Sequence, residues 1–200
     1  GRHRKKQDQD RRQDRAQGVH GAMNLLPTRL EFTASMPFSY YARLSPRQKL
    51  IYQQSDAVTV VRLPDPAAFE AHVARVADAL TADDRRGLEL ACQEFADAIF
   101  DQLGVSRVAL RVLAARPSKS WGELHGLYDP TQGKDRIVIT LWMRTAQKKR
   151  VVAFRTFLRT FLHEVGHHLD YEYLNLADSF HTQGFYQRES SLFRQLVDRG

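Results

Sequence analysis

Residues 161–170, FLHEVGHHLD, place three histidines, one glutamate and one aspartate in a segment that is otherwise mostly apolar. The apolar residues around it recur at helical spacing and form a wide stripe: Val152, Phe154, Phe157, Leu158, Phe161, Leu162, Val165 and Leu169. This periodicity predicts an amphipathic helix from about residue 149 to 173. Unpaired polar groups are costly to bury, so polar side chains crowded beside a core-facing stripe indicate a shared partner.

His163, Glu164 and His167 form the motif H-E-x-x-H. Residues four apart on a helix differ by about 40° in direction and lie one turn apart, so both imidazoles can face one ion. This spacing is typical of zinc sites. Glu164 can then take a proton from a zinc-bound water, whose pKa the ion lowers to roughly 7. The sequence therefore predicts Zn²⁺ as cofactor, His163 and His167 as ligands, and Glu164 as general base.

Two histidines and a water leave one protein ligand to be found among Asp170, His181 and Glu189. Asp170 lies one turn beyond His167, where a carboxylate is better placed to orient an imidazole than to bind the ion. His181 precedes a predicted helix, after a loop that could return the chain to the motif. Glu189 lies on that helix. The spacing alone leaves both His181 and Glu189 open as the third ligand.

Transition-state stabilisation needs an electrophile besides zinc. Tyr186 and Arg188 follow His181 and are candidates, because a phenol or a guanidinium can donate a hydrogen bond to an oxyanion. His168 points about 100° away from His167 on the helix. We expect His168 to be a partly exposed polar residue without a role in the site.

The remaining patterns predict a mixture of helices and strands. Apolar periodicity indicates helices at about 67–80, 83–103 and 185–198, and β-branched runs indicate strands at 107–114 (RVALRVLA), 136–143 (RIVITLWM) and within DAVTVVRL, 56–63. Two helices thus precede the first long strand. The expected fold class is α+β.

The spacing of the histidines resembles that of the SprT-like (Spartan-type) zincin metallopeptidases. In that family H-E-x-x-H is followed by a third histidine that opens a helix, with an aromatic residue four positions later, and HTQGF at 181–185 is the similar segment here. GLYDPTQGKDRIVIT also resembles the turn and strand that precede the family's motif helix. The resemblance covers about residues 105–198 and implies that His163, His167 and His181 bind zinc.

A second family pattern is the gluzincin one, which includes the IrrE and ImmA-like proteins. It would make Glu189 the third ligand; with His181 as ligand, we expect Glu189 to accept a hydrogen bond from a ligand imidazole or to pair with Arg188. Both resemblances imply a zincin-like fold, with a small twisted sheet packed on the H-E-x-x-H helix, and hydrolysis of protein or peptide substrates. Substrates of such enzymes bind along an edge strand, and we expect RIVITLWM to be that strand.

The charge is concentrated at the N-terminus. The formal net charge is +7, and residues 1–15 hold seven Arg or Lys against three Asp. We expect residues 1–18 to be a basic disordered tail and 19–200 to be one domain, with a helical part at 19–104 and a metal-binding part at 105–200. The tail predicts at most weak, sequence-independent contact with nucleic acid.

One cysteine, Cys92, excludes an intrachain disulfide framework and a multi-cysteine zinc ribbon. The chain shows no membrane-spanning run and no signal peptide, which predicts a cytoplasmic protein that does not contact membranes.

An alternative function is a metallopeptidase-like regulatory or nucleic-acid-binding protein with a structural or vestigial zinc site. A structural site would be closed by four protein ligands and would not need Glu164.

Overall fold

The computed structural model describes residues 38–119, 122–123, 126–129 and 137–197. The predicted basic tail, its boundary at residue 19 and residues 130–136 of the segment GLYDPTQGKDRIVIT lie outside these residues. All described residues belong to one compact unit, Met36–Gly200. Each helix in this part of the chain is too short or too polar to traverse a lipid bilayer.

The first helix lies before residue 67, in a part of the chain where the apolar pattern predicted no helix. A 3-10 helix, Ser39–Arg43, leads into helix α1, Pro46–Ala57. Ser45 and Gln48 form a capping box at the start of α1, and Pro46 occupies its first turn, where a missing N–H costs nothing. These end signals, more than any apolar stripe, define the helix.

The strand predicted within residues 56–63 is wrong. Asp56 and Ala57 end helix α1, and residues 58–63 have no strand partner. Instead, the side chain of Gln195 accepts the N–H of Leu63 at 3.0 Å and donates to the carbonyl of Val61 at 2.8 Å. A side-chain amide thus satisfies backbone groups that a neighbouring strand would otherwise satisfy.

Two further helices match their predicted positions. After a short 3-10 turn, helix α2 runs over Glu70–Thr81 and helix α3 over Arg85–Leu103. The Asp84 side chain caps the start of α3, and Gly104 ends it with a left-handed φ of 67°, a conformation that glycine adopts without steric cost.

A three-stranded sheet follows. Strand β1, Ala109–Ala115, pairs in parallel with β5, Val138–Arg144, and β4, Gly126–Asp129, pairs antiparallel with the other side of β5. A small hairpin, β2 (Ser118–Lys119) with β3 (Gly122–Glu123), lies between β1 and β4 in the chain. The order β1–β5–β4 makes β4 an edge strand of the described sheet.

This order corrects the expectation that RIVITLWM is the edge strand. Strand β5 is central, and its five middle residues, Ile139–Met143, are all buried. A run buried on both faces is typical of a central strand. The edge position belongs to β4, a strand that the residue patterns did not predict.

Helix α4, Phe154–Glu172, carries the H-E-x-x-H motif and is followed by helix α5, Gln183–Val197. The apolar stripe of α4 packs into a core shared with α2, α3, α5 and the sheet; for example, the rings of Phe95 and Phe161 stack 5.1 Å apart. The described residues therefore form an α+β arrangement, which confirms the predicted class.

Candidate metal centre

Three imidazole rings meet on the outward side of α4. The Nε2 atom of His181 lies 2.9 Å from Nε2 of His163 and 3.1 Å from Nε2 of His167. One available ligand atom from each of the three residues lies within 4.8 Å of the others. His163 and His167 come from successive turns of α4, and His181 comes from the loop just before α5. The structure thus brings the two motif histidines and His181 to one point.

The partners of His167 define its tautomer. The hydroxyl of Ser179 donates to Oδ2 of Asp170 at 2.8 Å, and Nδ1 of His167 lies 2.7 Å from the same hydroxyl oxygen. Since the hydroxyl proton points at Asp170, Nδ1 must carry the proton shared with Ser179. The Nε2 atom of His167 therefore presents a lone pair to the other two histidines.

His163 is oriented in the same way by a carboxylate. Its Nδ1 atom lies 3.0 Å from Oε2 of Glu189, which can only accept a hydrogen bond when ionised. Nδ1 of His163 is then the protonated nitrogen, and Nε2 has the free lone pair. Glu189 also faces Arg159 at 3.7 Å. A carboxylate behind a ligand histidine is a common arrangement in zinc sites, because it fixes the ring and raises its basicity.

The donor set fits a zinc ion. Two Nε2 lone pairs point at Nε2 of His181, and one N–H of His181 can satisfy at most one of them. An ion would satisfy all three, since tetrahedral Zn–N bonds of about 2.0–2.1 Å place the nitrogens about 3.3 Å apart. Among the described residues the cluster offers three ligands. Zinc takes four, so a water or a substrate atom would complete the coordination.

Glu164 lies beside this cluster in a confined place. Only 5% of the residue is exposed, and burial raises the pKa of its carboxyl to about 7, although neighbouring His163 and a backbone N–H from Tyr128 act in the opposite direction. A Cβ on Gly126 would lie 2.2 Å from Oε1 of Glu164. Gly126 therefore gives the carboxyl the space that it occupies against strand β4.

Two of the imidazoles are held neutral. Burial, followed by the neighbouring imidazoles of His163 and His181, lowers the pKa of His167 to about 3. Loss of water around its ring also lowers the pKa of His181. A metal ligand must be an unprotonated nitrogen, so these surroundings favour metal binding at neutral pH.

The structure separates the two proposed electrophiles. The ring of Tyr186 is 39% exposed and stacks on that of His181, with the two centroids 5.9 Å apart. Arg188 is buried, and its guanidinium bonds to Asp170, to Ser55 and to the carbonyl of Val58. The hydrogen bonds that the structure describes for Arg188 all go to Asp170 or to the end of α1, so these contacts do not support the suggested catalytic role.

The remaining predicted residues take supporting positions. Asp170 is fully buried and reaches His167 through Ser179, as a residue that orients an imidazole would. Glu189 hydrogen-bonds to His163; the ion pair observed for Arg188 is with Asp170 and that for Glu189 is with Arg159.

The expectation for His168 is wrong. It is fully buried, with Nε2 2.7 Å from the carbonyl of Ser106 and Nδ1 3.2 Å from the hydroxyl of Tyr128. Its ring also meets that of Phe100 edge-on at 4.8 Å. The 100° rotation from His167 carries it to the core side of the helix, where both ring nitrogens have partners.

Sequence reasoning missed Ser179, Gly126 and Tyr128. Ser179 is a short polar residue in a loop, and no local pattern distinguishes it from its neighbours. Gly126 and Tyr128 lie in GLYD, 126–129, a segment that the residue patterns did not assign to a strand or to the site. Alternation of a glycine and an aromatic residue before the long strand was the available signal for a short edge strand.

Comparisons of the chain with protein-family models, with curated proteins and with solved structures find no match.

Proposed function

We propose that the protein is a zinc-dependent metallopeptidase with a zincin-like fold, related to the SprT-like family. The observation that carries the proposal is the convergence of three imidazole Nε2 atoms beside a buried glutamate. The order of the parts also fits, since H-E-x-x-H lies on one helix and His181 opens the next. Glu189, in this proposal, supports His163 and is not a ligand.

A zinc ion held by His163, His167 and His181 would supply a Lewis acid and bring the pKa of a bound water near 7. Glu164 takes the proton of the attacking water and later passes it to the leaving amine. Burial raises the pKa of this carboxyl, which favours its holding the proton between the two transfers. Tyr186 is the candidate donor to the oxyanion.

The peptide substrate would lie along β4. The backbone N–H of Tyr128 bonds to the carboxyl of Glu164, so this part of the strand edge faces the proposed base. Backbone groups of alternate residues in a strand face the same edge, which adds those of Gly126. An extended peptide can hydrogen-bond to such an edge and present one of its carbonyls to the metal.

The test is Glu164→Gln, assayed on an unstructured protein substrate. The variant loses the general base but keeps the size of the side chain, so we expect zinc to be retained and kcat/KM to fall by about 10²-fold or more. Glu172→Gln is a matched control, because Glu172 is an exposed glutamate at the end of the same helix and contacts Ser106. We expect this control to keep its activity.

Loss of zinc from Glu164→Gln would make Glu164 a ligand and contradict the assigned role. Equal hydrolysis by wild type and Glu164→Gln would show that the activity does not come from this centre. Zinc binding by a wild type that cleaves no protein or peptide would contradict the peptidase and leave a regulatory protein with a metal site.

A further inference from the structure

The N-terminal part of the described chain contacts the segment that carries His181. The hydroxyl of Tyr40 donates to the backbone carbonyl of His181 at 2.7 Å. Asp56, at the end of α1, accepts the backbone N–H of Gly184 at 2.8 Å, in the first turn of α5. The backbone of the segment that carries His181 is therefore held by the 3-10 helix at His181 and by α1 at Gly184.

This contact leaves little free space. A Cβ on Gly184 would lie 2.4 Å from the carbonyl oxygen of Asp56, so only glycine permits such an approach. Thr182 is fully buried; its hydroxyl accepts the N–H of Phe185 at 2.9 Å and lies 3.5 Å from the hydroxyl of Ser55. The start of α5 is thus fixed against the end of α1 by both backbone and side chains.

Arg188 joins the same two elements deeper in the protein. It is 4% exposed, and its Nη1 donates to the carbonyl of Ser55 at 2.6 Å and to that of Val58. Its Nη2 donates to the hydroxyl of Ser55 at 3.0 Å and to Oδ1 of Asp170 at 2.7 Å. A guanidinium is suited to this position, because its fixed fork of donors can reach the free carbonyls at a helix end and a carboxylate together.

From Asp170 the connection continues to a motif histidine. Oδ2 of Asp170 accepts from Ser179, whose hydroxyl oxygen faces Nδ1 of His167. Arg188, Asp170, Ser179 and His167 therefore form an unbroken series of hydrogen bonds, which we call the Arg188 chain. It starts at the end of α1 and stops at the nitrogen opposite the metal-facing one.

We propose that the end of α1 is part of the metal centre, and that Arg188 is a positioning residue that fixes the ring of His167 for metal binding through the Arg188 chain. This inference rests on the proposed zinc site. Outer partners of ligand histidines commonly change metal affinity by 10- to 100-fold. Helix α1, which lies outside the family resemblance at about residues 105–198, would then help to set the affinity of the histidine cluster for its ion.

The experiment measures zinc affinity of the full chain, by competition with a chromophoric chelator, without any substrate. The variants are Ser179→Ala, which breaks the Arg188 chain beside His167, and Arg188→Lys, which keeps the charge but cannot reach Asp170, Ser55 and Val58 together. We expect each to weaken zinc binding by about 10-fold or more, while the unfolding temperature measured with excess chelator confirms that the metal-free protein is folded.

The double variant decides whether the two residues act in series. If Arg188 acts through Ser179, the double variant loses little more affinity than Ser179→Ala alone; independent effects would multiply. Arg107→Lys is the matched control, because Arg107 also binds an aspartate through two nitrogens, and its contacts among the described residues do not include the three clustered histidines. It should bind zinc as the wild type does.

Unchanged zinc affinity in folded Ser179→Ala and Arg188→Lys would overturn the inference, as would multiplied losses in the double variant. If Arg188→Lys does not fold, Ser179→Ala decides alone, and wild-type zinc affinity in that variant overturns the inference. These results are distinct from failure of the peptidase proposal, because a protein that binds zinc but cleaves nothing still tests the Arg188 chain.

Discussion

His167 and His168 are neighbours in sequence but lie in different chemical environments. The ring of His168 is enclosed, with the carbonyl of Ser106 at one nitrogen and the hydroxyl of Tyr128 at the other. The ring of His167 has such a partner at Nδ1 only, and its Nε2 faces the nitrogen of another histidine. Both nitrogens of His168 thus have oxygen partners, whereas Nε2 of His167 faces another imidazole nitrogen.

A histidine with a function is recognised here by the atoms that its two ring nitrogens face. Residue type and the direction of the pKa shift do not separate the two, since burial lowers the pKa of both. The two differ in their partners: a histidine with two satisfied nitrogens is part of the packing, whereas one whose free lone pair converges with others is suited to bind an ion. The predictions below test this contrast between the two sides of α4.

The largest effect is expected for His167→Ala. The variant removes one of three protein ligands, so we expect zinc affinity to fall by more than about 10³-fold and hydrolysis to be lost with it. Chelator competition on the purified protein measures the affinity. Zinc bound at full strength by His167→Ala would show that the ion lies elsewhere.

His168→Ala should show the opposite behaviour. It opens a cavity beside Phe100 and removes the partner of the Ser106 carbonyl, so the free energy of unfolding should fall by about 2–4 kcal/mol. Urea unfolding with excess chelator measures this loss without the contribution of bound metal. Zinc affinity of the folded variant should remain close to that of the wild type. Lost zinc binding with unchanged stability would reverse the roles that we assign to the two histidines.

A smaller effect is expected where β4 meets the base. In Gly126→Ala the new Cβ would clash with the carboxyl of Glu164, which must then move. We expect kcat/KM to fall by about 10-fold while zinc is retained, because a displaced base transfers protons less well. Gly87→Ala is the matched control, since its Cβ would also meet a carboxylate, that of Asp84, but on α3. Equal activity of both variants would remove β4 from the mechanism.

The sequence predicted the helices and long strands whose apolar periodicity is strong. Helix α4 carries a wide apolar stripe, and its predicted range contains the observed Phe154–Glu172. Helix α1 was missed because only its capping residues mark it; among its twelve residues Ile51, Tyr52 and Ser55 are the buried ones. Strand β4 was missed because four partly buried residues are too few to show alternation.

The site could be predicted only where its residues are close in sequence. His163, Glu164 and His167 have a spacing set by the helix itself, and the resemblance implied the approach of His181. The contacts of Arg188 with Ser55 and Val58 join residues more than 100 positions apart, so no local pattern contains them. The contact between Tyr128 and His168 is also outside any local pattern, because it depends on where β4 lies in the sheet.

The most direct test of the metal centre is the zinc content of the purified full-length chain, measured by elemental analysis in protein prepared without chelator. We predict about one zinc per chain in the wild type, its loss in His181→Ala, and retention with weaker affinity in Glu189→Ala, because Glu189 supports His163 without binding the ion. A wild type that contains no zinc and takes up none when it is added would contradict the account.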